Sequence, residues 1–462
     1  MKTVQSLSAR TFIMMISTVL LNAIAIITAP IFTRILTTED FGIYSLYVSW
    51  IAILANICGL QTNGTLNNAK VDFKDWEYKS YCINCFLLST IACIVWSGIW
   101  LVFNTQLSKW SGIPKECIIW LVVGTYGTCL VCFLNSYFLI EKKVIANLVI
   151  SVVIALTTTI GSILLIMYSQ MQGYYARVFS YGVVYLIASL GIIIYFLRLQ
   201  KTTINLTYWK YCLNLSLPLV VHSLSGRLLD QSDRIMLMSS KGESIVGIYS
   251  FCYTMALPIA VLSSAVNSAW TPTYYELMSK DSKKEINNHY NRQMFLITGI
   301  CCGYILVVPE ILKILSVKEY WEGIGIVPIV IAGYFFNFLY FFPVNYEFFN
   351  KQTKYIAIST VGAAIINIVL NYILIPKWGM YGAAFATIIA YVLLFLIHDF
   401  IARRIIKGYD IKWRFYLKGI IPILITVIIS SKISHSVVIR WGIGFVIGIA
   451  ILYKLKKQNS LI

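Results

Sequence analysis

The sequence predicts an all-α polytopic membrane protein of about fourteen transmembrane helices, arranged as two parallel six-helix lobes plus two C-terminal helices. Composition predicts the membrane: of 462 residues, 59% are hydrophobic and 12% charged, against ~25% charged in soluble domains. Serial apolar runs predict the helices, because one span per ~33 residues, loop included, fills the chain. An internal offset predicts the lobes.

Apolar runs begin near residues 11, 41, 81, 117, 145, 173, 212, 244, 293, 324, 355, 380, 415 and 437, and the last two carry the weakest signal. Thr11 to Thr33 resembles a signal peptide, since Ala23-Ile24-Ala25 mimics a cleavage site. The apolar run continues to Ile31 and thirteen spans follow, so it reads as an uncleaved first helix. The formal charge of +18 suggests nucleic acid in a soluble protein. Here Lys and Arg are more than twice as frequent in the loops on the N-terminal side as in the alternate loops. That bias places both termini in the cytoplasm and turns the charge into a collar against anionic lipid, with no nucleic-acid partner.

No loop exceeds about twenty residues, and no G-x-x-x-x-G-K-[ST] cradle occurs, which excludes direct ATP-driven transport by this chain. H-E-x-x-H and G-x-S-x-G are also absent, and His222, His289, His398 and His435 lack metal-ligand spacing. The expectation is a protein that is not an enzyme and holds no cofactor or metal. Cys82-Ile83-Asn84-Cys85 has redox or zinc spacing but no second pair, so the eleven cysteines read as small apolar packing residues.

Phe41-Gly42-Ile43-Tyr44-Ser45 recurs as Val246-Gly247-Ile248-Tyr249-Ser250, an offset of 205 residues from Gly42 to Gly247. Gly173-Tyr174-Tyr175-Ala176 faces Gly379-Met380-Tyr381-Gly382 at an offset of 206. The shared offset equals six spans, an even number, so both copies insert in the same direction. The predicted units are 1–200 and 201–408, related by an axis along the membrane normal, with 409–462 outside the repeat. Such lobes place a substrate path at their interface and work by alternating access. Pro30, Pro218, Pro258 and Pro343 interrupt spans and mark bends for a rocking transporter.

Charged residues inside spans are the candidate site. Arg227, Asp230, Asp233 and Arg234 fall within about 120° of one face of helix seven, with His222 beside them. Pairing of Asp230 with Arg227 and with Arg234 lowers the cost of burial. The cluster then either fixes the register of the lobes or lines a central cavity, where the arginines meet an anionic head group. In the second case Asp230, Asp233 or His222 serves as a proton or cation relay. Arg34 closes helix one and Arg177 lies a turn inside helix six, each a head-group contact or a snorkelling anchor. Lys418 reads as an anchor. The low acidic content of the interior suits an anionic substrate. Helix ten is dense in aromatics, which read as packing or, at Tyr340 and Tyr346, as sugar-stacking surfaces. Asn367 and Asn371 share a face of helix eleven, for interhelical hydrogen bonding or for sugar contact.

Three segments carry a resemblance. Pro30-Ile31-Phe32-Thr33-Arg34-Ile35-Leu36-Thr37 with Asp40-Phe41-Gly42-Ile43-Tyr44-Ser45 is the first. Asp233-Arg234-Ile235-Met236 with Gly247-Ile248-Tyr249-Ser250 is the second, and Asn367 through Leu370-Asn371 and Ile375-Pro376 to Trp378-Gly379-Met380-Tyr381-Gly382-Ala383-Ala384 is the third. Together they resemble the Wzx-type O-antigen and repeat-unit flippases, the polysaccharide-transport branch of the multidrug/oligosaccharidyl-lipid/polysaccharide (MOP) exporter superfamily. The resemblance implies a flippase of the bacterial cytoplasmic (inner) membrane. It would carry an undecaprenyl-diphosphate-linked oligosaccharide from the cytoplasmic to the periplasmic leaflet, with membrane lipids and the polysaccharide polymerase machinery as further partners. Arg34, Arg177, Arg227 and Arg234 are assigned to the diphosphate. One departure is Asn63-Gly64-Thr65-Leu66-Asn67-Asn68-Ala69 after helix two, where relatives often place a basic residue.

Competing readings are a multidrug or organic-cation antiporter, a lipid II flippase and an O-antigen polymerase. The antiporter wants a mid-span carboxylate in helices one to six, which hold none. The polymerase wants a long periplasmic loop.

Overall fold

An apolar run in lipid leaves the backbone no hydrogen-bond partner except itself, and each of the predicted runs is helical. The computed structural model describes the backbone of residues 2–200, 203–433 and 436–457 and side chains between 19 and 449; His435 lies outside the described residues. In chain order the long helices are α1 (Lys2–Ile35), α2 (Thr38–Cys58), α3 (Asp75–Val102), α4 (Ile118–Ile140), α5 (Val144–Tyr168), α6 (Gly173–Leu199) and α7 (Leu206–Lys241). They continue with α8 (Glu243–Ser279), α9 (Lys283–Leu315), α10 (Val327–Phe349), α11 (353–378), α12 (380–400), α13 (Trp413–Lys432) and α14 (Val437–Lys457). No strand occurs among the described residues.

Eleven stretches are long and apolar enough to cross a membrane, and α1 and α14 add the shorter apolar stretches Val19–Ile35 and Val437–Ile449. One of the eleven, Thr353–Ile406, is a hairpin of two spans. At Gly379 the backbone takes φ 55°, ψ −130°, a conformation open essentially to glycine alone. A β-carbon on Gly382 would land on the Leu374 carbonyl, although in a straight helix these residues lie about 12 Å apart. The chain therefore doubles back, and its small residues Gly382, Ala383, Ala384 and Ala386 are buried at the crossing. The molecule is an all-α, multi-pass membrane protein. Pro30, Pro218, Pro258 and Pro343 lie inside continuous helices.

By contact, the chain divides into residues 1–247 and 248–462. In the first unit α4 packs on α6, α5 on α6 and α1, and α2 on both α4 and α7. Two apolar clusters hold these helices: one around Trp50, Leu54, Trp100 and Leu121, the other around Tyr81, Phe86, Phe133 and Phe196. Of the eleven free cysteines ten are buried, Cys82 and Cys85 among them, consistent with packing.

The repeated motif has a local job. Thr37 caps α2 by accepting the Asp40 amide at 3.0 Å, and Asp40 in turn accepts the Tyr174 amide that opens α6 at 3.2 Å. A β-carbon on Gly173 would crowd the Leu36 and Asp40 side chains. Gly42 and Gly247 meet reciprocally: a β-carbon on Gly42 would strike the Glu243 carbonyl, and one on Gly247 the Thr38 carbonyl. Beside them the Thr38 and Ser244 hydroxyls bond at 2.7 Å.

In the second unit α10 is buried along most of its length against α11 and α12, and α9 packs on α13 and α14. Most helix-ten aromatics are core: Tyr334, Phe335, Phe336, Phe338, Phe342 and Tyr346 are buried.

Candidate functional site

A polar cavity of about 280 Å³ opens within the first unit, between the end of α2, the 59–65 turn, α4, α6 and α7. The turn that shapes it starts where Cys58 ends α2 and carries Leu60 and Gln61 in the left-handed region, at φ 52° and 49°. Two such non-glycine residues in succession persist only where the surroundings over-determine them. Here they do: the Thr65 hydroxyl bonds Tyr81 Oη at 2.7 Å, and Tyr211 donates to Asp72 at 2.5 Å. Lys70 bonds Asp75 at 3.1 Å and Glu141 at 3.2 Å. Burial pulls the Lys70 pKa down, but those two carboxylates outweigh it and raise it above its ordinary value, so the clamp stays charged.

Asn56 is the hub of the cavity wall. Its Oδ1 accepts from Ser223 Oγ at 2.5 Å and from the Gln61 amide, while its Nδ2 donates to the Ala52 carbonyl at 2.6 Å. Asn63 Nδ2 donates to Ser136 Oγ at 3.1 Å, and Thr128 and Tyr181 share a hydroxyl bond at 2.9 Å. Arg227 completes the lining. It is exposed and forms no ion pair with a carboxylate among the described residues. A guanidinium on this wall presents five donors to whatever enters, and an anionic oxyacid fits it best.

The other helix-seven charges part company with Arg227. Asp233 and Arg234 are buried and paired at 3.2 Å, and Arg234 also donates to the Asp230 backbone carbonyl at 2.8 Å. The ion pair thus joins adjacent residues, with the i−4 carbonyl as a further acceptor. Asp230 itself is half-buried. His222 is half-buried, and its Nδ1 has no hydrogen-bond partner among the described residues.

Arg177 lies with its guanidinium 3.7 Å from the Phe32 ring centre and 3.6 Å from that of Tyr44. Arg34 is exposed in the last turn of α1. In the second unit Tyr340 lays its ring against His398 at 4.9 Å, and Tyr346 donates to the Lys407 carbonyl at 2.5 Å. Asn367 and Asn371 are fully buried and bond each other at 3.0 Å. Lys418 bonds Asn291 at 3.1 Å.

Three largely buried polar pairs in the second unit escaped sequence reading. Glu347 and His398 bond at 2.8 Å with neither side chain exposed, Asp399 pairs with Arg403 at 2.7 Å, and Glu310 pairs with Arg440. Glu347 was legible as an acid inside an aromatic span. Its partner, 51 positions on, had no local signal.

Residues 7–278, more than half of the chain, match the profile described as polysaccharide biosynthesis protein. The chain belongs to that family. Relatives of the family include an uncharacterized membrane protein of Haemophilus influenzae, 22% identical over 73% of this chain and 82% of its own length. A candidate O-antigen transporter of Shigella flexneri is 22% identical over 42% of this chain. That match spans 46% of the Shigella protein, and a match to a Haemophilus influenzae Lsg-locus protein spans 45% of that one, so the chain covers about half the length of these curated relatives. Among solved structures, the lipid II flippase MurJ in an inward closed conformation aligns with a TM-score of 0.74 at 15% identity, over 96% of this chain and 98% of the other. A multidrug resistance MATE family transporter aligns at 0.62 and 15% identity, over 84% and 95%. The family member described here therefore has the fold of MOP superfamily transporters.

Proposed function

We propose that this protein is a flippase for undecaprenyl-diphosphate-linked oligosaccharide repeat units, moving them from the cytoplasmic to the periplasmic leaflet of a bacterial inner membrane by alternating access. Arg227 carries the reading: a cation on an apolar helix, facing a polar cavity and lacking a carboxylate partner among the described residues, awaits an anion. A diphosphate cannot cross hydrocarbon unaided, so its carrier needs a cation for the head group and hydrogen-bonding walls for the sugars. Asn56, Gln61, Asn63, Ser223 and Tyr181 supply such walls. Membership in a polysaccharide biosynthesis family and the O-antigen transporter among its relatives support the same cargo class.

Within this proposal Arg34, Arg177 and Arg234 belong to the route of the head group, with Asp230, Asp233 and His222 as its ion or proton relay. Tyr340, Tyr346, Asn367 and Asn371, buried or half-buried in this conformation, would serve as further sugar contacts in another state of the transport cycle. The lobes 1–200 and 201–408 are the moving bodies, with 409–462 outside them, and both termini are cytoplasmic. A second reading, lipid II as cargo, is favoured by the fold likeness to MurJ.

Deleting the gene and extracting lipids tests the proposal. Single diphosphate-linked repeat units should accumulate while long-chain surface polysaccharide disappears, and wild-type complementation should reverse both. Accumulation of lipid II with unchanged surface glycan selects the second reading. Unchanged lipids with new sensitivity to cationic drugs overturn both in favour of an antiporter.

A further inference from the structure

A second cavity, of about 470 Å³, lies on the far side of α4 from the polar one, in a cleft between α4, α5 and α6. Its walls are apolar, with Leu134, Phe138, Val153, Val184 and Tyr195 among them. Val153 is 54% exposed and Ile187 64%, so the cleft opens sideways to the surroundings of the helices. Along α6 it runs from Val184 to Tyr195, which is about 16 Å at ~1.5 Å per residue, close to half of the ~30 Å hydrocarbon core. It is one leaflet deep.

Lys143 stands at the end of the cleft. Its Nζ lies 3.3 Å from Tyr195 Oη and 5.6 Å from the Phe138 ring centre, and both rings line the cavity. Lys143 is exposed and pairs with no carboxylate among the described residues, and Lys142 beside it and Arg198, one turn after Tyr195, are exposed as well. The Lys/Arg bias places this end at the cytoplasmic surface, where anionic lipid head groups concentrate.

We propose that the cleft is a binding site for one acyl chain of an anionic phospholipid whose phosphate rests on Lys143. An apolar trough one leaflet deep, ending in an unpaired cation at head-group level, matches that ligand in length, polarity and charge. The lipid is distinct from the transported cargo. α4 turns Cys129 and Cys132 to the polar cavity and Leu134 and Phe138 to the cleft, so the helix stands between the two sites. An undecaprenyl chain of eleven isoprene units is also far longer than the trough.

Gly191 offers a clean test, because it lines the cleft and a β-carbon added to it meets no heavy atom within 4 Å. Gly191→Phe fills the trough without disturbing the helices. The full chain, purified in detergent, is titrated with phosphatidylglycerol and with phosphatidylcholine while bound lipid is counted by native mass spectrometry. Wild type should retain one phosphatidylglycerol in preference to phosphatidylcholine. Gly191→Phe should lower its occupancy at least tenfold, and Lys143→Gln should weaken it about fivefold and erase the head-group preference. Leu164→Phe, at an exposed position outside the cleft, should change nothing. Equal binding of both lipids by wild type, equal retention by all variants, or displacement by farnesyl phosphate at lower concentration than by phosphatidylglycerol overturns the proposal.

Discussion

Arg227 and Arg177 are the same residue type in two opposed situations, and substitution should separate them. Arg227 faces the cavity without a carboxylate partner, so its removal leaves the fold intact and takes away a binding group. Arg227→Ala should reduce surface polysaccharide at least tenfold in a complemented deletion strain at unchanged membrane abundance. Arg227→Lys should recover part of the export, since it keeps the charge and loses the planar fork. Arg177 is held between the Phe32 and Tyr44 rings. Each desolvated cation–π contact is worth about 0.5–2 kcal/mol, so Arg177→Met should lower the thermal midpoint in detergent and the amount of assembled protein. The buried Glu347–His398 pair makes a harsher case. Truncating one partner leaves the other without its buried hydrogen bond, at a cost of about 1–3 kcal/mol, whereas removing both leaves no orphaned polar group. Glu347→Ala should therefore unfold at markedly lower temperature than the double variant Glu347→Leu/His398→Leu, and a double-mutant cycle by thermal unfolding measures the difference. Equal midpoints would mean that leaving His398 without its partner costs nothing.

Helices were legible because lipid removes every alternative for an apolar run: twelve of the fourteen sequence-derived starts fall inside the long helices, and the other two, 117 and 324, in short 3₁₀ turns that lead into α4 and α10. The hairpin at Gly379 was legible too, as a glycine between two runs. Its tightness was not, because periodicity carries no information about ψ. Gly379→Val forces a branched side chain into φ 55°, ψ −130°, a region that costs L-residues about 1–3 kcal/mol. The α11–α12 hairpin should then fail to close and the protein be degraded, while Gly191→Ala, on an open helix face, is tolerated; immunoblots of membrane fractions compare the two. The cavity was harder to read than the helices. Asn56, Gln61 and Asn63 are uncharged residues at the end of a span, and in sequence they look like a polar boundary. They become a wall only because the 59–65 turn doubles back under clamps from Tyr81, Lys70 and Tyr211. Arg227 was visible because charge inside an apolar run has no bland explanation. The close approach of Arg234 to its sequence neighbour Asp233 depends on rotamers that helical spacing does not fix.

For the whole molecule, the hairpin at Gly379 also decides parity. The stretch Thr353–Ile406 is 54 residues long, and a continuous helix of that length would measure about 80 Å, far more than the ~30 Å hydrocarbon core. Folded at Gly379 it supplies two spans, which with the other twelve long helices gives fourteen and, on the proposed topology, puts the termini on one side. Unfolded into one oblique span it would leave thirteen and put them on opposite sides. The Lys/Arg bias favours fourteen, because Arg403, Arg404, Lys407, Lys412 and Arg414 follow α12 and belong with the basic loops only if the chain has crossed back. Reporter fusions distinguish the two. Alkaline phosphatase should be active when fused after Gln170 and inactive after Lys142 or Lys407, and a fluorescent protein at the C-terminus should fold in the cytoplasm. An active fusion after Lys407 would mean that α11 and α12 do not form separate spans, that the six-span offset no longer relates helices of equal orientation, and that two parallel lobes cannot be the bodies that rock.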